Sequence, residues 1–219
     1  MMRKNKVIIL DNGHGQETPG KRSPDGLFRE YRWTRMFVKR LKEKLETCGY
    51  TVFDIVPEDD DIGLTARANR ANKICDQYGA GNCVFISVHC NAAASDGKWH
   101  NATGWSAWTT KGKTNSDLLA ELLCEECEVE GIKLRKDTSD GDKDWEKNFT
   151  VIYKTKCPAV LTENMFMDTK SDVEFLNSEE GIERLLRIHL FGIRRWFEDR
   201  TGTHDHWLAQ QIQPKCDLK

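Results

Sequence analysis

Two histidines and two glutamates stand where apolar runs of this 219-residue chain break into polar sequence. His14 lies between two glycines in Leu10-Asp11-Asn12-Gly13-His14-Gly15, directly after Val7-Ile8-Ile9. His89 follows Cys83-Val84-Phe85-Ile86-Ser87-Val88, and Glu163 follows Ala159-Val160-Leu161-Thr162. Glu30 opens a helical pattern. Two histidines and a carboxylate are a donor set for a catalytic zinc ion that keeps one position open to water. A second carboxylate within reach would take the proton of that water. The residues therefore point to one Zn2+ per chain held by His14, Glu30 and His89, with Glu163 as the catalytic acid and base for hydrolysis of an amide. Each residue alone has a plainer reading: a strand terminus for either histidine, a helix-end charge for Glu30, a turn carboxylate for Glu163. Their joint placement favours the sharper one.

The elements that must position them alternate between strand and helix. Strands are predicted over residues 6–11, 50–56, 83–88, 104–109, 151–153 and 159–162. One helix starts at Tyr31, with Trp33, Phe37, Leu41 and Leu45 at helical spacing and Gly49 as its stop. A second carries Leu64, Ala68, Ala71 and Cys75 on one face. A third is capped by Ser116 and runs to Val129 with Leu118, Leu119, Leu122 and Leu123 as its apolar stripe. A fourth covers residues 179–197. This pattern implies a single α/β domain, a twisted and mostly parallel β-sheet with helices on both faces. In such sheets ligands bind beyond the carboxyl ends of the strands, where His14, His89 and Glu163 fall. Residues 133–149 read as a charged loop, and 201–219 as a peripheral tail to a catalytic domain of residues 1–200.

With 33 basic and 35 acidic side chains and a net charge of −2, the chain gives no reason to expect nucleic acid or an anionic membrane as partner. No apolar stretch approaches the length needed for membrane insertion, and the basic N-terminus lacks the apolar core of a secretory signal. The expectation is a monomer made in the cytoplasm without a signal peptide. The eight cysteines sit mostly in apolar patterns, as reduced, buried thiols do. Cys124 and Cys127 have zinc-like spacing but stand within a helix, without a second pair or a nearby histidine.

The motifs ILDNGHG, REYRWT, LTARANRAN, FISVHCNA and CPAVLTENMF, in that order over roughly residues 6–198, resemble the zinc-dependent N-acetylmuramoyl-L-alanine amidases of bacterial cell-wall turnover and phage lysis. The resemblance implies zinc on His14, Glu30 and His89, catalysis by Glu163, and a twisted, mostly parallel sheet. It also implies bacterial peptidoglycan as substrate, cleaved between N-acetylmuramic acid and L-alanine. An enzyme acting on the wall without a leader would need release of the phage-lysin kind. Asn12 stands where many members have proline, and residues 111–149 match no pattern of the family.

Other residues divide between readings. Arg67 either meets a substrate carboxylate or forms a structural ion pair. Asn91 either orients substrate or hydrogen-bonds beneath His89. His100, His189, His204 and His206 have no evident partners, though His204-Asp205-His206 could take adventitious metal. Glu58-Asp59-Asp60-Asp61 reads as a solvated loop and helix start. The glycine-rich first loop lacks the P-loop pattern and does not open directly into a helix, which excludes a phosphate cradle. Two rivals remain at this level: a zinc peptidase acting on stem peptides, with Arg67 or Arg135 as carboxylate binder, and a non-catalytic wall-binding module.

Overall fold

The computed structural model describes residues 5–198. Val7–Asn12 forms β1, buried along its whole length. Its Ile8 and Leu10 enter one apolar core and its Val7 and Ile9 another. A strand covered on both faces reads as continuously apolar, which is why this run lacks alternation. β2 (Thr51–Asp54) and β3 (Cys83–Asn91) flank β1 in parallel, and β6 (Ala159–Phe166) lies parallel to β3 on its other side. β4 (Ser106–Thr109) pairs antiparallel with β6, and the short β5 (Trp145–Glu146) completes the edge beside β4. The order is β2-β1-β3-β6-β4-β5, the mostly parallel sheet that the alternation implied.

Helices cover both faces. On one side α1 (Glu30–Thr47), α3 (Asn115–Val129), α5 (Lys170–Asn177) and α6 (Glu179–Glu198) contribute Phe37, Leu41, Leu119, Leu123, Leu176 and Leu186 to the larger core. On the other, α2 (Leu64–Tyr78) and the one-turn α4 (Thr150–Tyr153) bring Ala71, Cys75, Val151 and Ile152. Cys75, Cys83, Cys90, Cys124, Cys127 and Cys157 are buried free thiols. Among the described residues no helix is long and apolar enough to cross a membrane.

Several expectations need correction. Residues 151–153 form helix, not strand: the Phe149 carbonyl accepts the N–H of both Ile152 and Tyr153, closing a single turn. A three-residue apolar run fits either state, and here tertiary packing decides. Thr114, not Ser116, caps α3, in a box completed by Asp117; the Ser116 hydroxyl instead accepts the Ala159 N–H. Leu64 and Leu118 are exposed, lying off the buried stripes of their helices. β3 and β6 run past their apolar stretches, so His89 and Glu163 lie within strands and face each other across the ladder. β5 and α5 were not anticipated. The tail from 201 on, with His204 and His206, lies outside the described residues.

His189 does have partners. Its Nδ1 lies 2.8 Å from the Leu185 carbonyl and its Nε2 3.0 Å from Thr162 Oγ1, deep in the core. Burial lowers its pKa to about 4, so the folded protein keeps it neutral where the unfolded chain, near 6.5, would protonate it. The unfolded state therefore binds more protons between these values. Stability is expected to be full above pH 6.5 and to fall by about 3 kcal/mol as pH drops through 4. Buried His14 adds to this slope in metal-free protein, so urea unfolding of wild type against His189→Gln at pH 7 and pH 4.5 isolates the His189 contribution.

Candidate metal centre

The first loop holds His14 with the left-handed backbone φ of 61°, a conformation that non-glycine residues adopt only when surrounding structure fixes it. Its glycines answer to close approach. A Cβ on Gly13 would lie 2.5 Å from His89 Nδ1, and one on Gly15 would lie 2.2 Å from the Asp61 backbone nitrogen. The loop carbonyls are taken by side chains: Gly13 O by Thr34 Oγ1 at 3.2 Å, His14 O by Arg35 at 3.1 Å and by Arg67 at 3.2 Å. The Glu58–Asp61 run is more than a solvated loop. Asp59 O accepts the Gln16 N–H, Asp61 N–H donates to Glu17, and Thr18 Oγ1 donates to Asp61 at 2.5 Å. The run braces the loop from outside.

Glu30, the first residue of α1, is fully buried. Its Oε1 accepts the Cys90 N–H at 2.9 Å and lies 3.2 Å from His89 Nδ1. Its Oε2 is 3.6 Å from His14 Nε2, too long for a hydrogen bond, and has no other partner. The imidazoles meet edge to face, centroids 4.8 Å apart. Burial raises the Glu30 pKa, but His89 and His14 outweigh it and the carboxyl ends below its usual range. Burial works against protonation of His89, yet Glu30 and Glu163 raise it overall. His14 is driven by burial to about 3 and stays neutral. Glu163 is the Cα partner of His89 on β6, and its buried Oε2 is unpartnered. Burial pushes its carboxyl up to about 7, against the opposing pull of His89.

The sequence profile described as N-acetylmuramoyl-L-alanine amidase matches residues 8–195. The amidase CwlM of Bacillus licheniformis is 32% identical over 193 residues, which are 87% of this chain and 68% of that one. This chain belongs to the type 3 N-acetylmuramoyl-L-alanine amidase family. The endolysin of Bacillus phage SPP1 is 29% identical over 86% of this chain and 65% of its own length, so the chain spans about two thirds of these relatives. Among solved structures, the N-acetylmuramoyl-L-alanine amidase from Clostridium difficile 630 superposes with a TM-score of 0.75 at 25% identity, over 90% of this chain and 98% of that one. Membership of the amidase family makes the chain a hydrolytic enzyme.

The residues of this amidase-family chain fit a divalent cation. His14, Glu30 and His89 have donor atoms within 4.8 Å of one another, and tetrahedral zinc ligands stand about 3.4 Å apart at about 2.1 Å from the ion. Glu30 Oε2, buried without a hydrogen bond, points at His14. His89 is also oriented from behind. Its Nε2 lies 3.2 Å from Ser87 Oγ, Ser87 donates to Asp11 at 2.6 Å, and Asp11 pairs with Arg67 at 2.9 Å. Since Ser87 gives its proton to Asp11, Ser87 Oγ is left to accept from His89 Nε2; a cation between His89 and Glu30 would then take the place of the Nδ1 proton and find a lone pair there.

Sequence reasoning missed Ser87, Asp11 and Asn164. The last donates to the His89 carbonyl at 2.9 Å, one of the two roles left open for Asn91. Asn91 instead accepts the Ala92 N–H within its own turn. Arg67 is spent on the structural pair, and His100 pairs with Asp96 at the surface. Ser87→Ala is expected to weaken zinc binding about 10–100-fold in a competitive chelator titration. Arg67→Ala leaves Asp11 buried without its counter-ion and is expected to cost about 3–5 kcal/mol in urea unfolding.

Proposed function

We propose that this chain hydrolyses the amide bond between the lactyl group of N-acetylmuramic acid and the L-alanine of the stem peptide in bacterial peptidoglycan, with one Zn2+ held by His14, Glu30 and His89. The observation that carries the reading is Glu163, a carboxyl near pKa 7 facing His89 across two strands, beside a convergent two-histidine, one-carboxylate set. When bound, zinc supplies Lewis acidity to the scissile carbonyl and the attacking water. Glu163 takes a proton from that water and returns it to the leaving alanine nitrogen; a pKa near neutrality suits both transfers. A cleft of about 250 Å³ along residues 16–22 and Arg29 offers Lys21, Arg22 and Arg29 to the carboxylates of a stem peptide. We assign catalysis to residues 1–200 acting as a monomer, and the wall as the place of action.

The peptidase reading loses one of its two candidate carboxylate binders, because Arg67 is 1% exposed and tied to Asp11. The test is a digest of purified peptidoglycan with and without a zinc chelator, read by mass spectrometry. Free stem peptides beginning in alanine, released alongside peptide-free glycan and lost on chelation, are expected. Shortened peptides still attached to glycan would replace the amidase with the peptidase, and intact glycan with zinc-loaded protein would leave a binding module. Glu163→Gln should lower kcat about 10²–10⁴-fold while zinc content by atomic absorption stays at one per chain.

A further inference from the structure

The outer edge of the sheet gathers aromatic rings that hydrolysis does not use. Trp108 of β4 pairs with Leu161 of β6 on one side and with Trp145 of β5 on the other. The two indoles stack, centroids 5.4 Å apart at 29°, and Phe149 meets Trp108 edge to face at 5.6 Å. All three rings are half-buried, and Trp108 and Phe149 rest on the core beneath α2 and α4. Both indole N–H groups are spent inside the protein. Trp108 donates to Ser106 Oγ at 3.1 Å and Trp145 to the Arg135 carbonyl at 3.1 Å. The rings are thereby fixed in orientation, and what these side chains show to solvent is aromatic carbon.

The register sets this row beside the reacting groups. Side chains alternate along a strand, so Glu163 shares the face of Leu161, and their β4 partners Ser106 and Trp108 share it too. Ser106, opposite Glu163, is the residue that accepts the Trp108 indole N–H. Across the sheet come His14 after β1, His89 on β3, Glu163 on β6, then the indoles on β4 and β5. The charged cleft of residues 16–22 opens directly after His14, on the opposite side of the metal centre. An amide on a lactyl group likewise has a peptide on one side and a pyranose ring on the other. A pyranose carries a face of C–H bonds, which settles on the negative face of an indole. Resting on the amidase reading above, we propose that Trp108 and Trp145 form a saccharide subsite for the glycan strand beside the scissile bond. Lys147, exposed with its ammonium 4.9 Å from the Phe149 centroid, stands at its margin for ring hydroxyls. The rival is an apolar plug, rings that only close the edge of the sheet.

A peptide-free oligosaccharide of N-acetylglucosamine has no scissile amide, so its binding separates this inference from the amidase reading. It is titrated by calorimetry into the full chain, as wild type and as two variants. Trp145→Tyr keeps a ring face, and Trp145→Leu keeps apolar bulk without one. Wild type and Trp145→Tyr are expected to bind alike, and Trp145→Leu about tenfold more weakly. A plug would instead lower the Tm of Trp145→Leu and leave its oligosaccharide affinity at the wild-type value, which would overturn the subsite. If Trp145→Leu does not melt cooperatively, the wild type decides by hydroxyl-radical footprinting read by mass spectrometry. The oligosaccharide should then protect Trp108 and Trp145. No binding by folded wild type, or protection confined to Trp99 on the loop after β3, would overturn the subsite as well. Peptidoglycan left undigested while the oligosaccharide still protects both indoles would sink the amidase reading and uphold the subsite.

Discussion

One guanidinium, buried beneath the end of the first strand, fixes both histidines of the site. Arg67 reaches across from α2 to Asp11, to the carbonyls of Asn12 and His14, and to Asp61 and the Ile62 carbonyl. Through the His14 carbonyl it holds the left-handed turn that presents one imidazole. Through Asp11 and Ser87 it sets the proton of the other. A planar donor array with fixed geometry can serve several acceptors at once, which an ammonium on a flexible stem cannot do as well. The cost of burying such a charge is offset by the Asp11 carboxylate and by the further oxygens that accept from it.

The two glutamates illustrate how surroundings assign different roles to one side chain. Both are desolvated, which by itself favours the neutral acid. Glu30 receives a backbone N–H and faces two imidazoles, so its charge is retained. Glu163 has no donor on its buried oxygen and meets the negative Glu30 as well as His89, so its proton is held near neutrality. One is thereby suited to stay ionised beside a cation and the other to exchange a proton. Separation of pKa values within a single cluster is the physical mark of divided labour in a hydrolytic site.

Much of this was legible in the sequence, because a parallel sheet writes its ligand-facing residues as polar breaks after apolar runs. His14, His89 and Glu163 were singled out that way, and Glu30 by its position at a helix start. What stayed hidden depends on contacts distant in sequence. Asp11 meets Arg67 and Ser87 from other elements, and Asn164 meets His89 and Trp105 from a neighbouring strand. Nothing in the local pattern around Asn164 distinguishes a turn residue from one that ties β6 to β3 and to Trp105. Residues 151–153 failed for the opposite reason: local pattern was all there was to read, and a short apolar run is compatible with a single helical turn or a strand until its packing is known.

The outer edge of the sheet is not independent of the site. Trp105, fully buried just before β4, donates its indole N–H to Asn164 Oδ1, and Asn164 in turn donates to the His89 carbonyl. His189 of α6 joins the same chain through Thr162, whose hydroxyl lies 3.2 Å from Asn164 Nδ2. Displacing β4 would therefore pull on the backbone that carries a proposed ligand, and a side chain at position 105 without a donor would leave a buried acceptor unpaired. The loops beyond β4, including the charged segment around Asp144, can vary in length and composition only so far as they leave the indole seated. Whatever ties that segment to α3 and β4 therefore bears, through one hydrogen-bonded relay, on the geometry of His89.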